Sequence, residues 1–361
     1  GAYVGHQSPV LALFVPLRPP LAANGAEWHA HEMIFGFGVA VLAGFLLTAA
    51  KNWTRQPTPK GAPLVGLVLL WLLGRVVMVF GAQLPSALVA VVDITFLPVL
   101  AVVLALPLWR ARSHRNYPFV ALLLALSGVN LLFHLAPLLR LTTTTIAVEV
   151  MVVFLVVMGG RVIPAFTRNA LPRARVTSRR WLDALAIAAC VAYPIARLAD
   201  LGLASDVIGL MAGAFNLARL AGWDSWATRR SPILWVLHLG YLWIGVGYLM
   251  LGLVRWLPGL AGSAPLHALT VGALGSLTLG MMSRVGLGHT GRPLVLARSM
   301  SLAFVLLTVA ALTRVVLPLV SPDLMTSALV VSGAAWSCAF AVFVVVYWPI
   351  LTQPRVDAAP G

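Results

Sequence analysis

Residues 28–50 read WHAHEMIFGFGVAVLAGFLLTAA, and this stretch decides the class of fold. Beyond Glu32 and two histidines at its start it is apolar throughout, and a bilayer core of about 30 Å needs about 20 such residues in a helix. Comparable runs recur at 2–17, 62–81, 84–108, 117–138, 143–164, 181–199, 202–221, 232–256, 265–283, 296–318 and 324–350. Prolines and glycines separate them, among them Pro57, Pro85, Pro118, Pro172, Pro232, Pro258 with Gly259, Pro293 and Pro322. The pattern predicts an all-α, polytopic membrane helix bundle of about 12 transmembrane helices. Residues 1–361 then form a single transmembrane domain, whose longest connection is 165–180. The first run is interrupted by His6 and Pro9 and no basic segment precedes it, so a truncated or processed first span is expected rather than a signal peptide.

Composition agrees. Of 361 residues, 60% are hydrophobic and 10% charged, with a mean hydropathy of +0.95, whereas a soluble domain carries about a quarter charged residues. The net charge of +15 does not indicate nucleic acid, because the arginines sit between apolar runs rather than on a solvated face with readable motifs. Cys190 and Cys338 lie within apolar runs without CxxC spacing, which predicts core thiols rather than a disulfide or a zinc site. There is no phosphate loop, nucleophile elbow, HExxH or dinucleotide fingerprint.

The basic residues orient the bundle. One set of alternate connections holds Lys51, Arg55, Lys60, Arg110, Arg112, Arg115, Arg161, Arg168, Arg173, Arg175, Arg179, Arg180, Arg219, Arg229, Arg230, Arg284, Arg292 and Arg298. The other holds Arg18, Arg140, Arg197, Arg255 and Arg314. Basic residues of short loops stay on the cytoplasmic side, so the first set is expected inside, with both termini cytoplasmic. Glycines at 36 and 38, between 240 and 247, and at 272, 275 and 280 are expected to let helix backbones approach.

On this topology four histidines fall at one depth near the outer face. His29 and His31 open the second span, His134 lies about one turn from the outer end of the fifth, and His267 opens the tenth. All are within roughly 6 Å of one level at 1.5 Å per residue. Imidazole ligates haem iron, copper and zinc, and intramembrane ionisable groups mark sites; His29, His31, His134 and His267 are therefore the candidate metal ligands. His29 and His31 point about 200° apart on a regular helix, so one of them faces a given centre. Glu32 and Asn130 lie near the same level and could orient the ligand imidazoles. Towards the cytoplasm, His238 and His289 could bridge a haem, with Arg284 or Arg292 for its propionates. Arg75, Asp93, Glu149 and Asp183 are the remaining charges within spans. Asp93 and Glu149 read as structural partners, for Arg75 among others, or as a proton path.

Several segments together resemble the NnrS family: Trp28 to Phe37, Gly44 to Ala49 with Asn52-Trp53-Thr54, Gly160 to Thr167, Trp235 to Tyr241, Leu266 to Ala273, and Met282-Ser283-Arg284 with Gly288 to Pro293. The resemblance implies a twelve-span bacterial inner-membrane protein containing haem, expected as b-type, and copper, associated with nitric oxide and denitrification. It includes His29, His31, His238, His267 and His289 as motif residues; the shorter, broken first span departs from it. The leading expectation is a protein that binds or handles nitric oxide and protects against nitrosative stress, with His31, His134 and His267 as ligands and His29 next. A competing reading is a redox enzyme acting on nitric oxide or a related oxide, with electrons from quinol or a cytochrome. A third is a haem or copper transporter. No nucleic-acid partner is expected.

Overall fold

A computed structural model describes residues 25–260 and 262–356; the expected span at 2–17 lies outside them. The described residues form helices and no strand. Eleven helices are long and apolar enough to cross a membrane: α1 Gly25–Thr54, α2 Ala62–Val79, α3 Ser86–Arg110, α4 His114–Leu135, α5 Pro137–Ala170, α6 Arg180–Leu198, α7 Leu203–Ala221, α8 Pro232–Leu253, α9 Ala264–His289, α10 Arg298–Val320 and α11 Pro322–Thr352. Each expected run from 28 onwards has its helix, because the length needed to cross hydrocarbon with every backbone group bonded is a local property of the chain. The protein is a polytopic, all-α membrane protein.

Helix ends differ from the hydropathy boundaries. α5 passes through Pro164 and continues to Ala170, leaving 171–179 of the longest expected connection. α9 continues to His289, which the apolar run had placed in a loop. Helices outlast their apolar stretches where polar residues can face the membrane boundary.

The chain divides into two compact units, Gly1–Met151 and Val152–Gly361, with the division inside α5. In the first, α3 packs against α1, α2 and α4. Val77, Met78, Val89 and Phe133 form an apolar cluster there. In the second, α8 and α9 are central: α8 packs against α7 and α9, α10 against α9 and α11, and α6 against α7. Outward faces are apolar, with Val91, Val102 and Val345 exposed, the arrangement of helices whose solvent is lipid. Cys190 is buried, but Cys338, expected as a core thiol, is exposed on α11. An apolar run that faces lipid looks the same in sequence as one that faces the core.

Two stretches are wound as π-helix, and each begins directly after a histidine: Glu32–Gly38 after His31 and Ala268–Gly275 after His267. Wider turns of this kind redirect side chains and concentrate at functional sites. In α1 the Gly36 carbonyl accepts from Trp71 Nε1 at 3.1 Å, and a Cβ at Gly36 would lie 3.2 Å from Glu32 Oε2 and 3.3 Å from Arg75 Cδ. In α9 a Cβ at Gly272 would lie 2.5 Å from Trp243 Cγ. Both glycines let a neighbouring side chain reach the backbone.

Candidate metal centre

The start of α1, the end of α2, the start of α3 and the end of α4 meet at one end of the first unit and bring six polar side chains together. His31 is fully buried, its ring between Phe35 and Phe133 at centroid distances of 4.8 and 4.5 Å. Its Nδ1 faces Glu32 Oε1 at 3.1 Å. Its Nε2 faces Asn130 Oδ1 at 3.0 Å and Asp93 Oδ2 at 3.2 Å. His134, one helical turn beyond Asn130 on α4, points Nε2 at the same Asp93 Oδ2 at 3.0 Å. Asn130 Nδ2 donates to that oxygen as well, at 2.8 Å. Arg75 donates to Glu32 Oε1 at 2.6 Å and to Asp93 Oδ1.

Two features of this cluster suit a bound cation. First, three nitrogens converge on Asp93 Oδ2, an oxygen with about two lone-pair sites; a cation there would accept the imidazole lone pairs and the carboxylate together. Second, the cluster holds two carboxylates and one guanidinium, so one further positive charge, a doubly protonated His31 or a cation in place of its Nε2 proton, balances it in surroundings where unpaired charge is costly. One ligand atom from each of His31, Asp93 and His134 lies within 4.8 Å of the other two, and both Nε2 atoms are 3.0–3.2 Å from Asp93 Oδ2. Ligand atoms around a tetrahedral ion at 2.0–2.1 Å are about 3.3 Å apart, so the donor set fits a transition metal with little movement. Two imidazoles and a carboxylate suit copper, zinc or iron. Glu32 on Nδ1 of His31 is the partner that fixes the tautomer of a ligating imidazole and raises its basicity.

Over residues 3–355 the sequence matches the NnrS protein family. The chain belongs to the NnrS family. No curated protein matches it. The histidine and aspartate cluster accordingly lies in a member of a family associated with metal binding.

The other residues singled out in the sequence are placed as follows. His29 is exposed, on the opposite side of α1 from His31. His267 belongs to the second unit, where its Nδ1 donates to the Ser263 carbonyl at 2.7 Å and Nε2 therefore carries the lone pair. His238 is buried between two hydroxyls, with Nε2 2.9 Å from Thr167 Oγ1 and Nδ1 2.8 Å from Ser225 Oγ. Thr167 donates to the Ile163 carbonyl, so it accepts from Nε2 and Ser225 donates to Nδ1. His289 is exposed at the end of α9. Arg284 lies over the Phe166 ring, 3.9 Å from its centroid. Arg292 reaches the Ile350 carbonyl and Gln353 Oε1, each at 3.3 Å.

Asp93 was expected from the sequence as a partner of Arg75 or part of a proton path, outside the histidine site. It does pair with Arg75, and it also holds both histidines. The available signal was its position: it lies in the first part of α3, the same end of the unit as the start of α1. Arg219 was expected among the basic residues of the connections. Arg219 is buried in α7, bonded to Asp183 Oδ1 at 2.8 Å, to the Val156 carbonyl at 3.3 Å and to the Tyr241 hydroxyl. Tyr241 donates onward to Asn216 Oδ1 at 2.6 Å, and Asn216 Nδ2 to Cys190 Sγ at 3.3 Å. A Cβ at Gly160 would lie 1.6 Å from Arg219 Nη2, so the glycine makes room for the guanidinium.

Proposed function

We propose that the chain is a haem- and copper-containing protein of the bacterial inner membrane that binds nitric oxide and so protects cellular iron sites against nitrosative stress. The observation that carries this reading is the meeting of His31 Nε2, His134 Nε2 and Asp93 Oδ2 inside a member of the NnrS family. In this reading the three atoms hold copper and His267 holds haem. Bound copper or haem iron supplies an open coordination position for a diatomic ligand.

The chain's own residues prepare the copper position. Glu32 accepts from His31 Nδ1, and copper at Nε2 would take the place of the proton that Nε2 otherwise donates to Asn130 Oδ1. Arg75 tethers both carboxylates and limits their mutual repulsion. Phe35 and Phe133 keep water from the His31 ring. Nitric oxide is apolar and partitions into hydrocarbon, so a site among membrane helices needs no aqueous channel. The basic-residue asymmetry supports cytoplasmic termini and a periplasmic position for this end of the first unit.

Metal analysis with a pyridine haemochrome spectrum on the detergent-purified protein tests the proposal. His134→Ala is expected to lose most of the copper per chain and to keep the haem, while His29→Ala keeps both. Equal copper in the wild type and His134→Ala would remove the site. A second reading, a redox enzyme fed by quinol or a cytochrome, is favoured by Glu32, a carboxylate on His31 Nδ1 that is outside the ligand set and could hold a proton beside the metal. Sustained nitric oxide consumption with a reductant would mark the enzyme; stoichiometric binding alone marks the binding protein.

A further inference from the structure

Two arginines are buried among the described residues, Arg219 and Arg314. Arg219 has Asp183 as a counter-charge. Arg314, in α10, has Ser263 Oγ at 3.0 Å from Nη2 and Met325 Sδ at 3.6 Å from Nη1, and no carboxylate among the described residues forms an ion pair with it. Five of the acids pair with other arginines: Glu32 and Asp93 with Arg75, Glu27 with Arg140, Asp183 with Arg219 and Asp206 with Arg255. A guanidinium taken out of water costs several kcal/mol unless a counter-charge meets it, and a hydroxyl with a thioether supplies none.

The surroundings complete a site. Ser263 Oγ accepts from Arg314, so its own hydrogen remains to be donated. The carbonyl of the same residue accepts from His267 Nδ1 at 2.7 Å. Ser263 thus joins the uncompensated guanidinium to a histidine whose Nε2 carries the lone pair, just before the π-helical stretch of α9. A planar oxyanion matches the guanidinium fork, which binds carboxylates through paired hydrogen bonds.

We infer that Arg314 and Ser263 form the recognition site for an oxyanion of the carboxylate class, held beside His267. The anion has two possible sources of the same chemistry: a propionate arm of haem held at His267, which rests on the haem reading above, or a small free anion.

The test uses the purified full-length chain and its Arg314→Gln and Arg314→Lys variants. Haem binding is followed by optical titration with protohaem and with its dimethyl ester, which lacks the charge. Thermal unfolding is followed against formate at constant ionic strength. If a propionate is the occupant, the wild type prefers protohaem to the ester by about tenfold or more, and Arg314→Gln loses the preference. If a free anion is the occupant, formate raises the Tm of the wild type saturably and leaves that of Arg314→Gln unchanged. Arg314→Lys, which keeps the charge and loses the fork, is expected to fold and to show a reduced effect in whichever arm is positive. Formate stabilisation with no haem binding in any form would sink the haem reading and uphold the anion site. Equal affinity for both haems together with no formate effect in the wild type overturns the inference.

Discussion

The buried polar groups of the two units are built on different charge balances. In the first unit, two carboxylates, Glu32 and Asp93, share one guanidinium, Arg75, and two imidazoles are turned towards them. In the second, Asp183 meets Arg219 one to one, and the groups beyond are neutral: Tyr241, Asn216, Cys190, and His238 between two hydroxyls. His31 and His238 are both buried, yet only His31 has carboxylates within hydrogen-bond distance; His238 touches hydroxyls, with Asp224 acting on it from farther off. Burial of a histidine is therefore a poor guide to metal binding. The sign and number of the charges around it decide whether a cation is welcome.

Breaking the first cluster should have the largest effect. Asp93→Ala removes the oxygen on which both histidines converge and half of the counter-charge of Arg75. Loss of one partner from a buried ion pair costs about 3–5 kcal/mol, so chemical unfolding in detergent should show a shift of that size, and metal analysis should show copper lost from the first unit. A variant with wild-type stability and copper would mean that the cluster is neither ion pair nor ligand set.

The second network is balanced and should respond to space rather than charge. Gly160→Ala places a methyl group where Arg219 Nη2 now sits, and because Asp183 and Tyr241 hold that guanidinium it cannot move away without losing partners. A loss of about 1–3 kcal/mol is expected, as for overpacked interiors, with copper content unchanged. Loss of copper in this variant would couple the two clusters and undo the contrast drawn between them.

The smallest effect is expected at the neutral histidine. His238→Gln leaves Thr167 and Ser225 with an amide that can both donate and accept, so the cost should be about 1 kcal/mol, the scale of one hydrogen bond. Its optical spectrum should match that of the wild type. A shifted haem absorption would instead assign His238 as an axial ligand and make its hydroxyl partners part of that site.

Legibility in the sequence follows the range of the physics. Spans were readable because hydrophobic length is counted along the chain, and all eleven from residue 28 onwards appear as helices. His31 and His134 were nominated together by depth, which topology and the rise per residue provide. Asp93 was not joined to them because depth leaves open the rotation of each helix about its axis, which is set by packing against neighbours. The π-helical turns after His31 and His267 had no sequence signal either; within the first, the Gly36 carbonyl is met by Trp71 from another helix. Cys338 and Arg219 were misplaced for a related reason: an apolar run does not declare which side faces lipid, and an arginine near a helix end can turn inwards if an acid and aromatic rings await it.

The order of residues by itself determined that this is a many-span helical membrane protein of the NnrS family with histidines grouped at particular depths, because segment length, punctuation and motif spacing are one-dimensional. Only the tertiary structure decided which polar groups touch: that Asp93 gathers His31 and His134, that His238 rests between hydroxyls, and that Arg314 is buried with no carboxylate paired to it among the described residues. Those outcomes depend on helix rotation and on where glycines admit a neighbour, and both are settled by packing among segments far apart in the chain.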